Sequence, residues 1–291
     1  MIKAESNAAM PSQIKDLLRQ LDLKPKKRLG QHFLIDEEAL NSIISAAALT
    51  SEDIVVEVGP GLGILTRRLA EQTAKVIAVE LDPRLVSILK RSLGSFSNVS
   101  IIHGDILKIA LSQLLEGLAQ NYKVVANLPY YITSPVLRHF LEASLKPSLM
   151  VVMVQKEVGE AMAAAPGRMS LLSVSTQLYS KPTMITCVPK ESFYPPPKVD
   201  SLVLRLDIYS KLPIGVSDVT SFFNIVKAGF SSSRKQLRNS LAQAFGMPPG
   251  QVVLLLEKAG VEAKRRAETL SLEEWEKLWE VFTLSRKQPP C

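Results

Sequence analysis

The sequence predicts an α/β fold, a largely parallel sheet with helices on both faces, followed by a small all-α C-terminal domain. Three observations carry that reading. From Ile54 to about Asp207, strand-like apolar runs alternate with helix-like ones, the pattern of successive βαβ units. A glycine-rich turn, Gly59 to Gly63, joins the first such run to a helical pattern. After Leu212-Pro213 the apolar spacing becomes helical and stays so to the end.

In chain order, residues 1–24 form a polar leader in which Ile14, Leu17, Leu18 and Leu21 have the spacing of a short amphipathic helix. The first strand, Ile54 to Val56, leads through Glu57-Val58-Gly59-Pro60-Gly61-Leu62-Gly63 into a helix marked by Ile64, Leu65, Leu69 and Ala70. The second, Val76 to Val79, ends at Glu80, and Asp82 with Pro83 behind it makes a helix start. The third, Val99 to Ile102, is followed by Gly104-Asp105, and the fourth, Val124 to Ala126, by Asn127-Leu128-Pro129-Tyr130. Two late runs, Met184 to Val188 and Leu202 to Leu206, predict an antiparallel edge pair. Helices are expected over Val219 to Phe230, Lys235 to Phe245, Val252 to Lys258 and Leu272 to Leu284, with Trp275 and Trp279 on one core-facing side. The domain boundary is drawn near residue 210, giving a leader (1–24), a sheet domain (25–210) and a helical domain (211–291).

Four polar elements each follow a predicted strand, where open α/β sheets bind ligands. The glycine loop lets the backbone approach a ligand closely. A dinucleotide fingerprint needs a third glycine where Ile64 stands, so a ligand without a pyrophosphate fits better, and S-adenosylmethionine is one. Glu80, about 20 residues beyond the loop, is placed to accept from ribose hydroxyls. Asp105 can accept from an adenine amine. Asn127 offers a side-chain carbonyl, Pro129 frees backbone carbonyls from regular pairing, and Tyr130 offers a flat ring, a set that suits an exocyclic amine on a planar base.

With these elements the chain resembles the ribosomal RNA adenine N6,N6-dimethyltransferases of the KsgA/RsmA type, which act on the small-subunit RNA. The resemblance runs from about Lys26 to Leu284. It includes Gly30-Gln31-His32-Phe33-Leu34, the four elements above, Gln155 to Val158, the Phe193 to Ser201 block, Arg234 to Leu241 and Arg266-Ala267-Glu268. It implies a Rossmann-like S-adenosylmethionine-dependent methyltransferase sheet. The cofactor is then bordered by His32, Leu34, Gly59, Gly61, Glu80, Asp105 and Asn127. Asn127, Leu128, Pro129 and Tyr130 address the target adenine, Phe193 stacks on its other face, and Arg234, Lys235 and Arg238 contact the RNA. The sequence departs from the family pattern in having His32 where Asn is frequent, Ala161 where Arg is common in a shortened 161–168 segment, and Ser232-Ser233 where Gln-Arg is usual.

The net charge of +7 favours a polyanionic partner. Basic residues cluster at Lys24 to Arg28, Arg234 to Arg238 and Lys264 to Arg266, and a joint RNA surface across both domains is expected. Cys187 and Cys291 are too few for a disulfide framework or a zinc site, so no metal is expected. No run reaches the length of a membrane span and no signal-peptide layout is present, and a monomeric, cytoplasmic protein is expected. His103 and His139 are given no role. The resemblance implies dimethylation of two adjacent adenosines near the 3′ end of 16S RNA on the small ribosomal subunit, with a part in subunit assembly. The alternatives are a large-subunit adenine methyltransferase conferring macrolide resistance, a fold retained only for RNA or transcription-complex binding, and, last, a Rossmann oxidoreductase. The intact glycine loop and Asn127 motif speak against the latter two.

Overall fold

The computed structural model describes Leu18, residues 25–26, 29–118, 121–232 and 234–287. Of the leader helix expected around Ile14 to Leu21, only Leu18 falls within these residues; it is buried beside Phe33, Leu62 and Leu85. Lys24, Lys27, Arg28, Ser233 and Cys291 lie outside them.

The chain divides into two compact units, one of Met1–Glu160 with Pro182–Ile208, the other of Ala161–Lys181 with Tyr209–Cys291. The units are therefore not contiguous segments. Ala161–Lys181, expected with the sheet, groups with the C-terminal helices, where the amides of Gly167 and Met169 both donate to the Glu268 carbonyl, at 2.8 and 3.1 Å.

The first unit is a mixed α/β sheet with flanking helices. Its strands are β2 (Ile54–Val58), β3 (Lys75–Glu80), β4 (Val99–His103), β5 (Lys123–Asn127), β6 (Leu149–Gln155), β7 (Ser180–Val188) and β9 (Ser201–Ile208), in the order β4-β3-β2-β5-β6-β9-β7. β2 to β6 pair in parallel and β9 runs antiparallel to β6. The two late strands are neighbours at one end of the sheet, as expected of an edge pair: β9 lies between β6 and β7, and β7 is the edge opposite β4. β2 and β6 are apolar almost throughout because helices cover both sheet faces, so successive side chains on either side are buried. A separate two-stranded ribbon pairs β1 (Phe33–Leu34) with β8 (Phe193–Tyr194), antiparallel, with Phe33 opposite Tyr194 and Leu34 opposite Phe193.

The helices begin where the capping chemistry dictates. α1 (Glu37–Ala47) starts at Asp36, whose carboxylate accepts from the amides of Glu38 and Ala39 at 2.9 and 3.1 Å, and it buries Leu40, Ile43 and Ala47 in the sheet core. α2 (Ile64–Ala70) follows the glycine loop, and α3 (Pro83–Ser92) starts at Asp82 with Pro83 in its first turn. α4 (Leu111–Leu114), α5 (Thr133–Leu141) and α6 (Lys156–Met162) complete the succession up to the unit boundary.

The second unit contains α7 (Leu171–Gln177), α8 (Val219–Gly229), α9 (Leu237–Phe245), α10 (Pro249–Lys258) and α11 (Leu272–Lys287). Among the last four, α9 packs on α8 and α10, and α11 on α8 and α10. Trp275 is fully buried against Phe230, Phe245 packs on Phe282, and the Trp279 indole donates to Ser221 Oγ at 2.7 Å, so both tryptophans are core residues, as their spacing predicts. None of the described helices is long and apolar enough to cross a membrane.

Candidate active site

One cleft in the sheet unit collects the ends of β2, β3, β4 and β5 and is lined by Gly30, His32, Leu34, Gly59, Gly61, Glu80, Asp105 and the whole Asn127 to Tyr130 motif. This convergence follows from the parallel order: successive strands deliver their C-terminal loops to one edge. Gly59, Gly61 and Gly63 all have positive φ, at 69°, 61° and 81°. At Gly63 a Cβ would also meet Leu89 Cδ2 at 2.8 Å, so the tight entry into α2 requires glycine on two counts.

Glu80 is buried at the floor of the cleft, its Oε1 accepting from the Asp82 amide at 2.8 Å and its Oε2 from the Gly61 amide at 3.3 Å. Burial raises its pKa, backbone amides of Asp82, Gly61 and Leu81 pull it back, and the Asp82 charge adds to the rise. Asp82 does more than cap α3. Its buried carboxylate accepts from the Arg84 amide and guanidinium and from Gln31 Nε2, and pairs with Lys26 Nζ at 3.2 Å, so it fastens the N-terminal segment beside the cleft. These partners hold it well below the ordinary range despite its burial. Asp105 uses Oδ1 to accept from the Leu107 amide at 3.1 Å.

At the end of β5, Asn127 Nδ2 donates to the His32 carbonyl at 3.4 Å. A carbonyl can only accept, so the amide nitrogen is the atom facing His32 and Oδ1 is left as an acceptor in the cleft. The Pro129 carbonyl closes the 3₁₀ turn Tyr130–Ile132 by accepting from the Ile132 amide at 3.1 Å, whereas the Leu128 carbonyl accepts no hydrogen bond among the described residues. Of the two backbone carbonyls the sequence offers, that of Leu128 is therefore the less committed. The Tyr130 hydroxyl meets Ser201 Oγ at 2.6 Å, and one face of its ring is backed by the His32 imidazole, centroids 5.9 Å apart and 19° from parallel. His32 is fixed in turn by the 2.7 Å contact of Nδ1 with the Pro195 carbonyl, which requires the proton on Nδ1. Burial raises the Tyr130 phenol's pKa, partly offset by the Ser201 hydrogen bond.

Phe193 is not brought into this set. Its register opposite Leu34 turns it into the core beneath α1, where it is 2% exposed, and it does not line the cleft. Side chains alternate in the ribbon, so the neighbouring pair, Phe33 and Tyr194, packs on the other side with Leu62 and Leu85. Arg234, Lys235 and Arg238 belong to the other unit. Arg234 and Lys235 are exposed, Lys235 Nζ donating to Gln243 Oε1 at 2.7 Å, and Arg238 is half-buried. In the third basic cluster Arg265 is engaged within the unit by Glu274 and Thr269, so its charge is already neutralised.

One cleft residue stands in the glycine-loop motif but is given no role by the sequence reading. Glu57, 2% exposed, lines the cleft with Oε2 buried and without a hydrogen-bond partner among the described residues. Burial pushes its carboxyl up to about 8, the adjacent Thr66 hydroxyl opposing and the Glu80 charge adding to the rise. The signal was a lone acid inside the apolar run Ile54-Val55-Val56-Glu57-Val58.

The chain matches the family described as ribosomal RNA adenine dimethylase over residues 22–283. It is 47% identical over 291 residues to a protein of Dehalococcoides mccartyi strain 195 named ribosomal RNA small subunit methyltransferase A, covering 100% of this chain and 98% of that one. It is 42% identical to the protein of the same name from Bacillus mycoides over 288 residues, 96% of this chain and 98% of that one. Among solved structures it is similar to a dimethyladenosine transferase from Plasmodium falciparum (TM-score 0.74, 27% identity, 88% of this chain and 98% of that chain). It is also similar to the 23S rRNA methyltransferase ErmE (TM-score 0.69, 28% identity, 86% and 99%). With the glycine loop, Glu80, Asp105 and the Asn127 motif gathered in one cleft, and with these matches spanning nearly its whole length, the chain belongs to the ribosomal RNA adenine dimethylase family.

Proposed function

We propose that this protein uses S-adenosylmethionine to dimethylate the N6 amines of two adjacent adenosines near the 3′ end of small-subunit (16S) ribosomal RNA, acting on the small subunit during its assembly. The observation that carries the reading is the paired acceptors at the end of β5: Asn127 Oδ1, oriented by the His32 carbonyl, beside the uncommitted Leu128 carbonyl. The relatives that share 47% and 42% of their residues with this chain over almost its full length bear the small-subunit name, and this favours the small subunit over the large-subunit alternative, represented by ErmE at 28%.

The cleft fits the cofactor. Glu57 Oε2 is an orphaned buried acceptor suited to an ammonium, Glu80 and Asp105 are suited to the ribose and the adenine amine, and the loop of three positive-φ glycines leaves room for a ligand against the backbone. His32, Leu34, Gly59, Gly61 and Asn127 complete the wall. When bound there, S-adenosylmethionine supplies an electrophilic methyl group on sulfur.

The protein's part is to present the amine. The N6 lone pair of adenine is delocalised into its ring. Two acceptors directed at the amine hydrogens favour the nitrogen as positive charge develops on it, and they fix its orientation. Tyr130, backed on one side by His32, leaves its other face to stack on the base. A monomethylated amine keeps one hydrogen for the same acceptors, so a second transfer needs no new group. The surplus proton leaves to water, and no side chain has to act as a strong base. Arg234, Lys235 and Arg238 of the helical unit serve RNA docking, and the protein works as a monomer in the cytoplasm.

The test is direct. Small subunits and large subunits from methylation-deficient cells are incubated with the protein and labelled S-adenosylmethionine, and dimethyladenosine is mapped. Label confined to adjacent adenosines of the small-subunit RNA is expected; label in the large subunit, or none, refutes the proposal.

A further inference from the structure

Tyr130 and Tyr131 are consecutive in one 3₁₀ turn, yet their surroundings differ. Tyr130 is turned to His32 and Ser201. Tyr131 lies instead against Gly30 on the N-terminal segment, so close that a Cβ on Gly30 would sit 3.2 Å from Tyr131 Cδ1. Its phenol pKa is raised by partial burial and then by the Asp105 and Glu80 carboxylates, which places the hydroxyl in the field of both acids. These are the acids suited to adenine and ribose, and both line the same cleft as Tyr131. Tyr131 also lines the cleft while 52% exposed, as does Leu81, which is 43% exposed. Large exposed side chains lining a cleft leave surface that a flat nucleoside would cover.

We propose that Tyr131 is a cofactor-contacting residue whose ring covers the nucleoside end of S-adenosylmethionine, so that the two adjacent tyrosines serve two different ligands. This rests on the cofactor reading above. The 3₁₀ turn makes the division geometric. With Tyr130 held by its hydroxyl to Ser201 and its ring to His32, the next residue has to project elsewhere, and the Gly30 surface receives it. The interaction is one of ring area, so the hydroxyl contributes little and phenylalanine serves in its place.

The experiment is calorimetric titration of S-adenosylhomocysteine into the wild-type protein, Tyr131→Ala, Tyr131→Phe and, as a control, Glu80→Ala. Binding to the wild type tests the cofactor reading itself, and its absence refutes that reading. Given wild-type binding, Tyr131→Ala is expected to weaken affinity about 5- to 10-fold, the size of an aromatic contact, and Tyr131→Phe by less than about 2-fold. The half-exposed position allows both variants to fold, which their unliganded melting midpoints verify. Small-subunit binding at saturating S-adenosylhomocysteine is expected to stay at the wild-type level in both variants. Unchanged S-adenosylhomocysteine affinity in Tyr131→Ala overturns the inference, and if subunit binding falls instead, the ring faces RNA.

Discussion

Replacing Glu57 with Gln tests whether an acid is kept protonated in the cleft of the ligand-free protein. Glu57 is 2% exposed, has an orphaned Oε2, and its carboxyl is pushed from 4.5 to about 8 chiefly by burial. An acid whose folded pKa lies above its unfolded one binds more protons folded than unfolded between the two values. Stability therefore declines as pH rises from about 4.5 to about 8 and levels off beyond. At about 1.4 kcal/mol per unit, the part lost between pH 5 and pH 8 is roughly 3 kcal/mol. Gln does not titrate, so urea unfolding of the two proteins across this range, taken as a difference, cancels the other groups. The wild type is expected to lose roughly 3 kcal/mol relative to Glu57→Gln over that interval. A difference that does not change with pH refutes the buried neutral acid. A bound ammonium favours the ionised form, so S-adenosylhomocysteine binding near pH 7 should release a proton from the wild type and none from Glu57→Gln, read by calorimetry in buffers of different ionisation enthalpy.

Three other substitutions address separate parts of the molecule. Asn127→Ala removes one acceptor of the pair and should slow single-turnover methylation roughly 10- to 100-fold while subunit affinity changes little; a near wild-type rate would dismiss the assignment. Replacing Arg234, Lys235 and Arg238 together with Ala should leave S-adenosylhomocysteine binding intact and lower the salt slope of subunit binding by roughly 0.7 to 0.9 per lost phosphate contact, and an unchanged slope would move the RNA surface elsewhere. Gly63→Ala puts a Cβ at φ 81° and 2.8 Å from Leu89 Cδ2, and should cost roughly 2 to 4 kcal/mol in urea unfolding. A loss under about 1 kcal/mol would show that α3 yields to it.

The sequence made most of the cleft legible because its polar groups sit at the ends of apolar strands, and both halves of that signal are local. Gly59, Glu80, Asp105 and Asn127 each follow such a run, and parallel topology brings such ends together. The cap at Asp82 was equally local, but its ties to Lys26 and Gln31 span about 50 residues and leave no periodic trace. Phe193 shows the limit more clearly. Its proline-rich context marks a functional block, yet the direction of the ring is set by its register against Leu34, in a ribbon of two residues per strand that no pattern announces. Glu57 was visible as a misplaced charge, but what separates a solvated acid from a buried one is the packing around it. The Ala161–Lys181 stretch is assigned by backbone bonds to Glu268, about 100 residues downstream, beyond the reach of any window of residues.

The ribbon between β1 and β8 sets an order of events during synthesis. His32 is held by Pro195, the Ile35 amide by the Ser192 carbonyl, and Asp36 by Ser192 Oγ, while Tyr130 waits for Ser201. A nascent chain that has released the glycine loop, Glu80, Asp105 and Asn127 still lacks the residues that brace His32 and Tyr130, and at ordinary elongation rates several more seconds pass before these emerge. On the proposed reading, the chain throughout that interval carries the pieces of a nucleoside site without the braced Tyr130 ring proposed to hold a base. Competence to hold the amine arrives late on that reading, when the segment from Ser192 to Ser201 closes back on a strand made some 160 residues earlier. On that reading, a chain cut short before that segment would retain elements of cofactor recognition while being unable to present a substrate.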